Sequence, residues 1–367
     1  MGGRVIVVGS VNIDLVARVP HLPHPGETVT GGSYERHHGG KGGNQAVAAA
    51  RLRRPTLFIG AAGDDPFEAE ARRALSSERV DVSMLASLPG LATGIALILV
   101  DATGENEIAV VPGANGAIET GYVRDCLARL GRLVGDVLLV CNEVPLHVVR
   151  EALVCAHEAG ATTILNPAPA IGIDRSIFGL ADIVTPNRNE LATLLQTEAR
   201  RTGRRVDASI ETSVRARTLL ETGPGGPGVR KAVIVTLGAA GVVVLERVGS
   251  GLAASAARQE LVDVASAAAA TTAASAVASA VDGAPADAVR VGDHRMWEVP
   301  ADEVATVDST GAGDAFCGAL AAALAEGRPL AEAVTRAVAG SALATTHVGA
   351  REGMPTAAEL DEFLAAR

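Results

Sequence analysis

The apolar positions of this chain follow two rhythms. Short, nearly unbroken aliphatic runs at residues 5–8, 56–59, 95–100, 137–140, 162–165, 183–184 and 232–235 have the length and β-branched content of buried strands. Between many of them, residues 44–52, 146–158, 188–195 and 214–221 carry apolar side chains at helical spacing. Strands that are apolar on both faces and separated by helices predict a largely parallel sheet covered on either side, an α/β fold.

Two stretches break the alternation. Residues 15–38, and the pair 95–100 and 107–111 joined by a turn containing Gly104, predict extra strands off the main sheet, the second pair as a β-hairpin. Such strands often make a lid. The last third turns helical at 315–326, 330–346 and 357–365, with Gly327 and Gly349 placed as helix stops. Residues 265–280 contain ten alanines in sixteen positions. Ala favours helix but buries little area, so residues 249–293 are expected to form a low-complexity surface insertion.

Composition narrows the classes. Apolar residues make up 48% of the 367 positions, enough for a sizeable core, but aromatics are only 2%, so that core must be aliphatic. With 32 Lys and Arg against 42 Asp and Glu, the net charge is −10, which disfavours nucleic acid and anionic membranes as partners. Cys126, Cys141, Cys155 and Cys317 show neither a C-x-x-C pair nor zinc-finger spacing and are expected to be reduced thiols. The apolar run at 5–8 is too short for a signal-peptide core, and residues 264–281 are too diluted by Ser and Thr to span a membrane. A cytoplasmic protein is expected.

Four segments carry chemistry. Asp308-Ser309-Thr310-Gly311-Ala312-Gly313-Asp314 leads into a helix, where glycines admit a ligand to the backbone and free N–H groups suit a phosphate. A carboxylate there repels phosphate unless it takes a proton from the attacking nucleophile; the alternative for Asp314 is a helix cap. Residues 39–45 place Lys41 between two glycine pairs before Asn44, which suits a polyhydroxylated ligand or a structural turn, and lacks the Ser or Thr of a P-loop. Asn12 and Asp14 share a face at strand spacing and could grip vicinal hydroxyls or form an Asx turn. Asn187 and Glu190 have the spacing of a capping box, or of groups that hold waters on Mg²⁺. Residues 223–228 match G-x-G-x-x-G only formally, because two prolines and a following strand exclude a dinucleotide fingerprint.

In order and spacing, GSVNIDLV, PHPGETVTGG, GGKGGNQAVAAARL, TGIALILVDATGENEI, NPAPA, TPNRNE, VTLGAAGV, DSTGAGDAF and HVGAREGMP together resemble the ribokinase-like (PfkB) carbohydrate kinase family over nearly the whole chain. The resemblance implies a three-layer sandwich with a largely parallel sheet and a small β lid at about 15–38 and 95–111, in a single domain spanning 1–367. It implies ATP-dependent phosphorylation of D-ribose at O5. Asp314 would be the base, with Gly311, Ala312 and Gly313 as an anion hole. Asn12, Asp14, Gly40, Lys41, Asn44 and Glu143 would bind sugar. Asn187, Glu190, Thr236 and Gly238 would serve the nucleotide, the first two also organising Mg²⁺ through water. A K⁺ site would involve Asp308, Thr310, Ala344, His347 and Gly349, and a homodimer would form through the lid. Another sugar kinase of the family, for 2-deoxyribose, fructose or a nucleoside, or a sugar sensor without turnover, are the competing readings. Two positions depart from the family pattern: Gly43 replaces the usual Ala, and Gly353 stands where Ser is common near the cation.

Overall fold

The computed structural model describes residues 2–202, 211–221, 227–248, 285, 287–291 and 293–367. The strands are β1 (Val5–Val8), β2 (Asn12–Arg18), β3 (Tyr34–Gly39), β4 (Thr56–Gly63), β5 (Val80–Leu88), β6 (Gly94–Val100), β7 (Asn106–Val111), β8 (Val137–Cys141), β9 (Thr162–Asn166), β10 (Ile183–Val184), β11 (Ala232–Thr236), β12 (Val242–Arg247), β13 (Val289–Val291) and β14 (His294–Val299). The helices are α1 (Lys41–Arg51), α2 (Pro66–Ser77), α3 (Thr120–Leu130), α4 (Leu146–Glu158), α5 (Arg188–Thr202), α6 (Thr212–Leu220), α7 (Ala312–Ala325), α8 (Leu330–Ala344) and α9 (Ala357–Ala365).

The main sheet runs β13-β14-β12-β11-β10-β9-β8-β1-β4-β5. Every pairing from β11 to β5 is parallel, while β12, β14 and β13 extend one edge antiparallel. The aliphatic runs follow from burial on both faces. Val5 and Val7 join one core with α1, α7 and α8, while Ile6 and Val8 join the other with α3, α4 and α6, as the two-residue pleat requires. A second sheet, ordered β3-β2-β6-β7, lies apart from the first; β2 pairs antiparallel with β3 and parallel with β6.

With few aromatic residues to fill space, the helices approach closely. A Cβ on Gly318 of α7 would lie 2.5 Å from the Ala48 Cβ and 2.7 Å from the Gln45 carbonyl of α1. This contact between helices far apart in sequence draws the first turn of α1 against the first turn of α7.

Several expectations change. The sheet contains β5 and β12, and the layers contain α2 and α3, none of which the apolar periodicity singled out. Helix α8 ends at Ala344, so Gly349 (φ 92) bends the following loop and does not stop the helix. Residues 249–284 of the expected insertion lie outside the described residues, as do 222–226 of the glycine-proline segment; Val289–Val291, at the far end of that stretch, is an edge strand paired with β14.

Candidate active site

Lys41, Glu143, Glu190 and Asp314 lie close enough for their charges to act on one another, beyond the C-terminal ends of the parallel strands, where α/β folds open their clefts. Asn187 forms an isolated bridge with Thr236, placing the ends of β10 and β11 side by side. The loop after β1 supplies Ser10, and the loop after β8 supplies Glu143.

Asp314 sits in the first turn of α7 and is only 6% exposed. Its carboxylate accepts from the Asn44 Nδ2 at 3.0 Å and from the Gln45 Nε2 at 3.0 Å. Gln45 also donates to the Asn166 Oδ1 at 3.1 Å, and Asn166 in turn donates to the Thr185 carbonyl at 3.1 Å. The neighbouring Asp314 charge holds the Lys41 ammonium well above its usual range, against the opposing effect of burial. Lys41 therefore remains cationic beside the acid.

Glycine determines how the main chain enters this turn. Gly311 caps α7 at φ 77, a left-handed conformation that suits glycine, and a Cβ there would lie 2.9 Å from the Ala350 Cα. The exposed Gly313 follows. The Ala312 N–H donates to the Ser309 carbonyl at 3.2 Å, so in this state that amide closes the turn. Gly40 enters α1 at φ 84, with its Cα face packed on Val11 and Asn12.

Around the expected sugar side, Glu143 accepts from the Lys41 N–H at 2.9 Å and from the Ser10 hydroxyl, tying the start of α1 to the end of β1. Asn12 is buried, with its Oδ1 taking a 2.8 Å bond from Asn115. Burial, partly countered by the charge on Arg351, raises Asp14 to about 6. A Cβ on Gly39 would meet both Asp14 oxygens at 2.2 Å, so glycine leaves the carboxylate its place.

Asn187 and Glu190 form the predicted reciprocal cap: the Asn187 N–H donates to Glu190 at 2.8 Å, and the Glu190 N–H donates to the Asn187 Oδ1 at 2.8 Å. Burial raises the Glu190 pKa, and the charges of Lys41 and Asp314 act on it, so this cap faces the same cleft. Thr236 ends β11, and Gly238 opens a short 3₁₀ turn at φ 62.

Asp308 accepts the Thr310 N–H and the Gly349 N–H, each at 2.9 Å, clamping two loops together. A Cβ on Gly353 would lie 2.4 Å from the Ala344 carbonyl oxygen and 3.2 Å from that of Gly349, so these carbonyls crowd one spot. His347 is exposed, and its Nδ1 pairs with the Thr346 hydroxyl at 2.9 Å. Cys141 and Cys317 are buried near the cleft, where desolvation pushes their thiols up to about 11 and about 12; neither is poised as a nucleophile.

Sequence reasoning did not single out Arg351, Gln45, Asn115 or Asn166. Arg351 is 5% exposed; its Nε donates to the Asn44 Oδ1 at 3.0 Å and its Nη2 to the Gly39 carbonyl at 2.8 Å. Burial lowers it to about 10, which leaves the guanidinium protonated at neutral pH. The signal available in sequence was the conjunction of an arginine in HVGAREGMP with an unexpected glycine at 43.

The chain is similar to known proteins over nearly its whole length. The model of the pfkB family carbohydrate kinases matches residues 3–296 and 284–357. A ribokinase of Schizosaccharomyces pombe is 32% identical over 365 residues, covering 98% of this chain and 96% of its own. The structure of a Thermotoga maritima ribokinase superposes with a TM-score of 0.76 at 30% identity, covering 99% of each chain. That of a Cryptococcus neoformans ribokinase in complex with ADP gives 0.72 at 25%, covering 98% of this chain and 99% of that one. With a family model along most of its length and a relative matched nearly end to end, the chain belongs to the pfkB family of carbohydrate kinases.

Proposed function

We propose that this protein is an ATP-dependent ribokinase that transfers a phosphoryl group to O5 of D-ribose, giving ribose 5-phosphate and ADP. The observation that carries the reading is the placement of the Asp314 carboxylate: fixed by Asn44 and Gln45, beside Lys41, at the glycine-rich mouth of α7. Ribokinases are among the relatives matched over nearly their whole length, and deoxyribokinases match over a similar span at lower identity.

Asp314 takes the proton from the sugar O5 hydroxyl as that oxygen attacks the γ-phosphorus of ATP, and the bond from phosphorus to the ADP oxygen breaks. The backbone at Gly311, Ala312 and Gly313, together with the positive end of α7, receives the charge on the transferring group. For Ala312 this requires its N–H to leave the Ser309 carbonyl. Asn12, Asp14, Gly40, Lys41, Asn44 and Glu143 hold the sugar. Thr236 and Gly238 border the nucleotide. The second sheet acts as a lid that excludes water, which would otherwise consume ATP.

Asn187 and Glu190 fit an ion held mostly through water: one carboxylate, half withdrawn from solvent, facing the phosphate side of the cleft. The chemistry supplied by bound Mg²⁺ is neutralisation of phosphate charge. The crowded carbonyls of Ala344 and Gly349, with the loops that carry Asp308, Thr310 and His347, fit K⁺, which takes carbonyl oxygen readily; when bound it contributes positive charge beside the anion hole. Gly353 contributes no side-chain oxygen there. A homodimer through the lid is supported by Ile108 and Val110, which stand exposed on one face of its edge strand. Four free cysteines accord with a cytoplasmic, reducing location. No helix among the described residues is long and apolar enough to cross a membrane.

A coupled assay of ADP release over a panel of sugars tests the reading. Ribose is expected to give the highest kcat/KM, and absence of ribose-dependent ADP release sinks it.

A further inference from the structure

Arg351 stands behind the acid and its amide partner, contributed by a loop more than three hundred residues downstream of the helix that it braces. Its guanidinium is buried, forms no ion pair among the described residues, and leaves Nη1 without a partner there. A buried cation with an unused donor is costly to the fold, a cost that the charges of Asp14, Glu352, Glu78 and Asp314 partly offset. What the cation does is visible in its contacts. A guanidinium can only donate, so Nε on the Asn44 Oδ1 fixes which end of that amide faces Asp314. Flipping the amide would set its NH₂ against the cation and its oxygen against the carboxylate. In the observed orientation Asn44 donates to one Asp314 oxygen while Gln45 donates to the other. The Nη2 bond to the Gly39 carbonyl ties the same side chain to the end of β3, next to Asp14.

Position 43 makes room for this arrangement. A Cβ there would lie 2.4 Å from the Arg351 Nη2 and 3.4 Å from its Cζ, with no backbone atom among its nearest neighbours. An alanine at 43 would therefore collide with the guanidinium itself.

We propose that Arg351 and Gly43 are a matched pair, with Arg351 a positioning residue that orients Asn44, and through it the Asp314 carboxylate, for phosphoryl transfer. The proposal rests on the function assigned above. It predicts that the two positions are energetically coupled: the guanidinium needs glycine at 43, and a methyl group at 43 is harmless once the guanidinium is gone.

The test is a double-mutant cycle of Gly43→Ala, Arg351→Gln and the combination, with Arg351→Lys as a variant that keeps charge but loses the planar fork. Initial rates give kcat and KM for ribose and for ATP, and thermal unfolding reports folding. Each single substitution is expected to lower kcat about 10- to 100-fold, since small misplacements of reacting groups cost that much; the KM for ATP stays put. The double variant is expected to match Arg351→Gln alone, so that the two losses fall short of multiplying by about tenfold or more. Arg351→Lys is expected to lose kcat as Arg351→Gln does. Losses that multiply overturn the pairing. An Arg351→Gln protein with a lower unfolding temperature but unchanged kcat and ribose KM overturns the positioning role. Wild-type turnover of ribose judges the assigned reaction separately: if another sugar is the one phosphorylated and shows the same coupling, only the substrate is wrong.

Discussion

Asn44 and Asp314, 270 positions apart in sequence, meet at 3.0 Å, with the amide donating to the carboxylate. Because Gln45 occupies the other oxygen, the acid is held in one place before any substrate arrives. Replacing Asp314 with Asn should lower kcat by about 10²–10⁴ while ribose binding is largely kept. Steady-state kinetics together with calorimetric titration of ribose checks this; near-normal turnover removes Asp314 as the base.

Asp14 titrates near pH 6 because burial disfavours its charge, with Arg351 and His37 opposing and Glu143 and Glu352 reinforcing that effect. Its folded pKa is raised, so the native state binds the proton more tightly than the unfolded chain. Stability therefore falls as pH climbs from about 4 to about 6, and the ionised carboxylate costs on the order of 2–3 kcal/mol above that window. Asp14→Asn should raise the unfolding temperature at pH 8 more than at pH 4, and should weaken ribose binding at pH 8. Equal thermal shifts at both pH values would show that Asp14 does not titrate in this window.

Glu190 should affect the nucleotide side alone. Glu190→Gln is expected to raise the Mg²⁺ concentration needed for half-maximal activity about 10- to 100-fold, with the KM for ribose unchanged. Asn187→Ala should in addition cost about 1 kcal/mol through the lost helix cap. Activity titrated against free Mg²⁺ separates these outcomes from a purely structural role.

Gly353 is wedged between the carbonyls of Ala344 and Gly349. Wild-type activity should rise when K⁺ replaces a bulky organic cation, and Gly353→Ala, whose Cβ must push the Ala344 carbonyl aside, should reduce that activation. A rate indifferent to K⁺ in the wild type rejects the cation site.

Ile108 and Val110, exposed on one face of the edge strand β7 of the second sheet, should hold two copies together. Changing both to Asp is expected to convert a dimer to a monomer in sedimentation velocity; an unchanged sedimentation coefficient places the interface elsewhere.

The sequence disclosed the parallel sheet because strands such as Val5–Val8 are buried on both faces and carry no polar interruption. It disclosed the Asn187 and Glu190 cap because that bond spans three residues. Helix α2 was equally open to reading, with Asp65 as N-cap, Pro66 next and Glu68 in the first turn, but only Ala71 and Leu75 are buried, too few to register as a periodic apolar face. Strand β5 alternates irregularly, and the shift in its register against β4 hid it for the same reason. Asn115 and Arg351 were out of reach for a different cause. Each reaches its partner across more than a hundred residues, and only the packing of the assembled sheet and helices decides that they meet.

The close seating of α7 on α1 at Gly318 also bears on how the protein is born. Asp314 lies about 270 positions after its two amide holders, so a polypeptide still growing on the ribosome presents Asn44 and Gln45 long before the acid that they hold. The two hydrogen bonds that hold this carboxylate can therefore form only once α7 has emerged.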